Sequence, residues 1–171
     1  MNTTSQIEPW LRGPIVGIDP AVTPIAHSFM QLIEDLPQVV SGLTKEQLWA
    51  MPAGAASFGF HLTHMAGSID RLYTYARGER LTEEQFQALR SEKEPDGRTT
   101  EELIAATVSL LEKAIQQLRE TRPETLHDTR LVGRAGLPSN QISLLYHGAE
   151  HAQRHLGAMI ATAKFVRASI R

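Results

Sequence analysis

Residues 139–169 read SNQISLLYHGAEHAQRHLGAMIATAKFVRAS, and this stretch decides the fold. Ser139, directly after Pro138, is predicted to open a helix that runs to about Ser169. Inside it His147, His151 and His155 stand four residues apart. Four residues advance a helix by about 400°, so successive members shift by only about 40° and all three share one stripe. An adjacent pair at this spacing can present two imidazoles to a single ion. Such pairs also arise by chance, and the plain alternative is core histidines bonded to backbone, or surface ones. A run of three is far rarer.

Three more long helices are legible to the N-terminal side. Asp19-Pro20 reads as a cap followed by proline at the first helical position, opening a helix to about Val40, with Pro37 as a possible bend and Ser41-Gly42 as its close. Ser57 is a plausible cap for a second helix ending at Gly78. Thr100 is expected to cap a third, in which Leu103, Val108, Leu111, Ile115 and Leu118 recur every third to fifth residue. Thr44-Lys-Glu-Gln and Thr82-Glu-Glu-Gln have capping-box spacing and predict short helices to about Met51 and Arg90. Residues 122–138 hold two prolines and two glycines and read as a long loop. No stretch alternates with period two over a strand's length, so a sheet is not expected. The fold class is therefore all-α, a four-helix bundle with short additional helices and a possible crossover connection. Residues 1–18 read as an irregular arm, and residues 19–171 as one domain.

Composition narrows the function. The 171 residues carry a net charge of −2, which argues against nucleic-acid binding, because phosphate affinity comes from clustered Lys and Arg. No apolar run is long enough to span a bilayer and the N-terminus lacks a signal pattern, so a cytoplasmic location is expected. There is no cysteine, which removes disulfides, cysteine-ligated metals and a thiol nucleophile of the chain's own. Any thiol chemistry would use a co-substrate.

The second helix supplies a further histidine pair in FHLTHMAG, His61 and His64, within about 60° of each other on one face. Packing that helix against the last one would assemble a three-histidine site with open coordination positions, the form of catalytic zinc. A di-iron centre needs two Glu-x-x-His motifs. Only Glu124–His127 has that spacing, and it falls in the predicted loop. Glu150 is expected to pair with Arg154 at i+4.

The stretches SFGFHLTHMAGSIDRLYTYARGERL (57–81) and LLYHGAEHAQRHLGAMIATAK (144–164) together resemble the DinB/YfiT-like superfamily. The resemblance implies a dimeric four-helix bundle holding one divalent metal ion, commonly zinc or nickel, with iron or manganese as alternatives. Carried over by position, it implies His64, His151 and His155 as ligands, with His61 and His147 lining the pocket or supporting the ligands. The family often has Gln after the helix-four His-x-Gly, where this chain has Ala158. Its members of known activity include transferases and isomerases that use low-molecular-weight thiols such as bacillithiol and mycothiol. The expectation is a metal-dependent enzyme activating such a thiol, or water, for transfer to an electrophilic small molecule. The alternatives are a non-catalytic homodimeric module with a structural or sensory metal, and a metal-dependent hydrolase. Arg130 and Arg134 in the loop are candidates to cover the site and bind an anionic group, against a plain solvated loop. Arg71 and Tyr75 are candidates for the pocket mouth, against plain packing or a salt bridge.

Overall fold

The computed structural model describes residues 7–169, so residues 1–6 of the expected arm lie outside it. Four long helices form the body: α1 (Thr23–Val40), α3 (Phe58–Ala76), α5 (Thr100–Glu120) and α6 (Gln141–Ser169). Short helices α2 (Lys45–Trp49) and α4 (Glu83–Ser91) lie between them. Both short helices begin with the capping boxes read from the sequence, at Thr44/Gln47 and Thr82/Gln85. The expected cap of α5 is off by one residue: Thr99 rather than Thr100 caps it, in a further capping box in which Thr99 accepts from the Glu102 N–H and the Glu102 carboxylate accepts from the Thr99 N–H. Asp19 caps a preceding turn, its carboxylate accepting the Ala21 N–H at 2.8 Å, and the regular helix starts only at Thr23. Pro37 sits on the exposed side of α1 without ending it. At the end of α3 the Glu79 N–H bonds to Thr74 O and the Gly78 N–H to Tyr75 O, a Schellman closure that requires the positive φ of Gly78.

The predicted loop contains a correction. Residues 129–132 (β1) and 137–140 (β2) pair as an antiparallel hairpin, with Thr129 opposite Asn140 and Val132 opposite Leu137. Strands of four residues are too short for alternation to be read, and one contains Pro138. The last helix consequently starts at Gln141 rather than Ser139. Ser139 belongs to β2, and Asn140 is the residue whose side chain accepts the Ser143 N–H.

The bundle order follows from which helices touch. α6 packs on α3 and α1, α5 packs on the same two, and α3·α6 is the most extensive contact. Gln153 meets Ser28 and Arg167 meets Val39, so α1 and α6 run in the same direction. His61 meets His155 whereas Tyr73 approaches Gly148, so α3 and α6 run in opposite directions. α3 and α5 run parallel, with Thr63 near Leu103 and Tyr73 near Gln117. Parallel neighbours joined in sequence need a crossover, and residues 77–99, carrying α4, run back along α3 to provide it. Phe29, Leu32, Phe58, Leu62, Met65, Leu111, Leu145 and Met159 are fully buried between the four helices. Ile15 and Ile18 seat the arm on this core, and Arg12 ties it to Glu34 at 2.6 Å.

Candidate metal centre

α3 and α6 cross where their polar stripes meet. His64, His151 and His155 each offer a ring nitrogen, and the three nitrogens all lie within 4.8 Å of one another. His151 and His155, one turn apart on α6, bring their Nε2 atoms to 3.3 Å. Tetrahedral coordination by imidazole at about 2.0–2.1 Å puts neighbouring nitrogens about 3.3–3.4 Å apart, and the His151–His155 pair sits at that spacing. His61 does not join this group. It meets His155 from behind, Nδ1 to Nδ1 at 2.9 Å. His147 is exposed and turned to Glu150 at 3.3 Å. Glu150 is also held by Arg154 at 2.6 Å, the i+4 pair expected from the sequence.

The outer faces of the rings fix which nitrogen points inward. The buried carboxylate of Glu92, at the end of α4, accepts from His64 Nδ1 at 2.7 Å. That bond selects the tautomer whose Nε2 lone pair is free. The same carboxylate is clamped by Arg71 Nη1 at 2.6 Å, and Glu92 O accepts from Thr63 Oγ1 at 2.7 Å. Gly67 makes room for this network: a Cβ there would collide with Glu92 Oε1 and lie 2.7 Å from Arg71 Nη1. His155 is held on its far side by the Nδ1–Nδ1 hydrogen bond with His61, and its Nε2 faces His151. His151 Nδ1 is buried without a hydrogen-bond partner, which makes it the least constrained of the three. Phe60 stacks on His64 with ring centroids 5.2 Å apart.

Burial and mutual proximity disfavour protonation of His61, His151 and His155. His151 is pushed down to about 4, first by desolvation and then by His64 and Arg154. His155 is pushed down to about 3, first by desolvation and then by its histidine neighbours. His61 is lowered too, by burial and by His64. The Nε2 atoms of His151 and His155 face each other at 3.3 Å, so a cation between them would be bound by both once neither carries the proton. An imidazole donor set of this kind fits a divalent ion.

The cluster opens onto a cavity of about 340 Å³ lined by His64, His147, His151, Arg71, Leu72 and Phe86, among others. Arg71 therefore lines the pocket and forms a salt bridge, the two roles weighed for it in the sequence. Tyr75 lines the same pocket. Arg130 and Arg134 lie in the hairpin and line an adjoining cavity rather than covering the histidines. Glu124 and His127 are exposed, beside the first turn of α6, and do not join the three-histidine group. Spacing could not reveal Glu92. It lies 28 residues from His64, just past the expected end of its helix, and its role follows from the path of the crossover.

The family model of the DinB superfamily matches residues 28–159. The chain belongs to the DinB superfamily. In this DinB-superfamily chain the match covers α3 and α5 whole and the greater part of α1 and α6, and it includes His64, His151 and His155. No curated protein matches the sequence. Among the described residues no helix is long and apolar enough to cross a membrane.

Proposed function

We propose that this protein is a metal-dependent enzyme in which His64, His151 and His155 hold one divalent cation, zinc or nickel by preference. Its reaction would transfer a low-molecular-weight thiol, or water, to an electrophilic small molecule. The observation that carries the reading is the convergence of three imidazoles beside an open pocket, with no fourth His, Asp or Glu donor joining them among the described residues. Structural zinc is normally closed by four protein ligands. Here the other two histidines of α3 and α6 are engaged elsewhere, His61 behind His155 and His147 with Glu150. Such a cation, its charge uncompensated by three neutral ligands, supplies Lewis acidity that lowers the pKa of a thiol or water.

The chain's own residues do the rest. Arg71 and Glu92 hold His64 in one tautomer and orientation, and His61 holds the orientation of His155. Leu72, Leu81, Phe86 and Leu89 give the pocket an apolar wall that excludes water from one side of the site. The chain has no cysteine to compete with an external thiol for the cation. We place the protein in the cytoplasm, as a homodimer acting on small molecules.

The test is the metal content of untagged protein by mass spectrometry, beside His64→Ala, His151→Ala and His155→Ala. Near-stoichiometric zinc or nickel, lost in each variant, is expected. Protein that cannot be loaded with zinc, nickel, iron or manganese would overturn the reading. Turnover of an electrophile only with added thiol supports transfer, and turnover without it favours a hydrolase.

A further inference from the structure

Beside the histidine pocket lies a larger cavity of about 710 Å³, enclosed by the end of α3, residues 78–81, α4 and the β-hairpin. The two cavities share Tyr75, Leu81 and Phe86 in their walls. One depression therefore runs from His151 to the hairpin. Its charge is one-sided in a chain that is acidic overall. Arg80, Arg130 and Arg134 line it, and its single carboxylate, Glu79, is already paired with Arg77 at 2.8 Å. Arg130 is fixed by donating to Ala76 O at 2.8 Å and to Thr129 O at 3.0 Å, with Asp128 at 3.6 Å as a loose counter-charge. Arg134 lays its guanidinium over the Phe86 ring, 5.4 Å from the centroid. Neither Arg80 nor Arg134 has a carboxylate partner among the described residues.

Three guanidinium groups held around one cavity attract an anion, and their planar forks suit carboxylate and phosphate. The shared wall is apolar and aromatic. Tyr75 lies eleven residues beyond His64 on the same helix, about 16 Å along its axis. We propose that the arginine cavity is the recognition subsite for the carboxylate or phosphate head group of an elongated substrate. The apolar or aromatic body of that substrate crosses Tyr75, Leu81 and Phe86 to place its far end at the histidine cluster. The substrate class rests on the histidine cluster being the reactive centre.

Metal-stripped protein is titrated calorimetrically with 4-phenylbutyrate, phenyl phosphate and the neutral 4-phenylbutanol. At least one anion is expected to bind, and the alcohol at least tenfold more weakly. Arg80→Gln and Arg134→Gln should each weaken the anion about tenfold, as loss of a charge-assisted hydrogen bond does. Both side chains are exposed, so melting temperature should not change; Arg130 is left intact because it also caps α3. The tighter anion identifies the head group. No heat from either anion, equal binding of the alcohol, or unchanged affinity in both variants overturns the subsite. Metal content is measured separately. Protein that loads metal but ignores the anions removes the subsite alone, whereas anion binding by protein that cannot load metal removes the reactive-centre reading.

Discussion

Replacing Glu92 should weaken metal binding although Glu92 never faces the metal. Its carboxylate is 6% exposed and serves two donors at once, His64 Nδ1 at 2.7 Å and Arg71 Nη1 at 2.6 Å. In Glu92→Gln one of those donors confronts an amide NH2 group, so either His64 loses the bond that sets its tautomer or Arg71, 11% exposed, loses its counter-charge. Partners of this kind are worth about 10–100-fold in metal affinity, or about 1.4–2.7 kcal/mol. Glu92→Gln keeps the volume and one acceptor and belongs at the low end; Glu92→Ala belongs at the high end. The assay is zinc titration against a competing chromophoric chelator at pH 7.5, with the melting temperature of the metal-free protein recorded in parallel. Glu94→Gln, at an exposed position two residues on, is the control. A Glu92→Gln protein that folds and binds zinc within twofold of the wild type would refute the orienting role of the carboxylate.

His61→Ala should retain the metal about tenfold more weakly, by loss of the contact that orients His155, whereas His147→Ala should stay within twofold; the same titration reads both. Gly67→Ala should cost about 1–3 kcal/mol in urea unfolding, because its Cβ overlaps the Glu92–Arg71 pair, and unchanged stability would show that the pair can shift freely. The metal-free protein should lose stability in acid. His151 and His155 have folded-state values of about 4 and about 3, below the ordinary 6.5, so the unfolded chain binds more protons in between. Stability from this source is complete above about pH 6.5 and is lost as pH falls toward 4 and 3. The melting temperature should fall between pH 7 and 4.5, and less steeply in a His151→Gln/His155→Gln double variant; equal slopes would argue against the burial-driven shift.

The helices were legible where they carry their own punctuation, and less so at the start of α1, whose cap Val22 makes no side-chain bond. Ser57, Thr44 and Thr82 act as the caps their spacing suggests, and Gly78 ends α3 in the closure that only a positive φ permits. The hairpin was not legible. Four-residue strands offer two residues per face, too few to distinguish from a Gly- and Pro-containing loop, and their pairing depends on a turn at Gly133–Gly136 rather than on apolar periodicity. That is also why the start of α6 moved by two residues, from Ser139 to Gln141. Among the site residues, His151 and His155 share a helix, and their proximity follows from four-residue spacing alone. Choosing His64 over His61 needed more. The two sit three residues apart on one face, and only the crossing of α3 with α6 sends His64 into the group and His61 behind it.

The crossover also separates what spacing can deliver from what topology adds. Because α3 and α5 run parallel, residues 77–99 must return along α3, and that return lays Glu92 against His64, and Gln85 against Asp70 and Thr74. A hairpin connection would have left His64 Nδ1 facing solvent. The return path also sets Leu81, Phe86 and Leu89 opposite the histidines, so one segment supplies both the partner behind His64 and the far wall of the pocket in front of it. A site meant only to hold the bundle together would gain nothing from such a wall. It would be closed by turning His61 or His147 inward, residues within one turn of the cluster that are instead engaged with His155 Nδ1 and with Glu150. Three donors, two of them contacted from behind, and a cavity kept open in front are the arrangement expected when something other than protein is to complete the coordination.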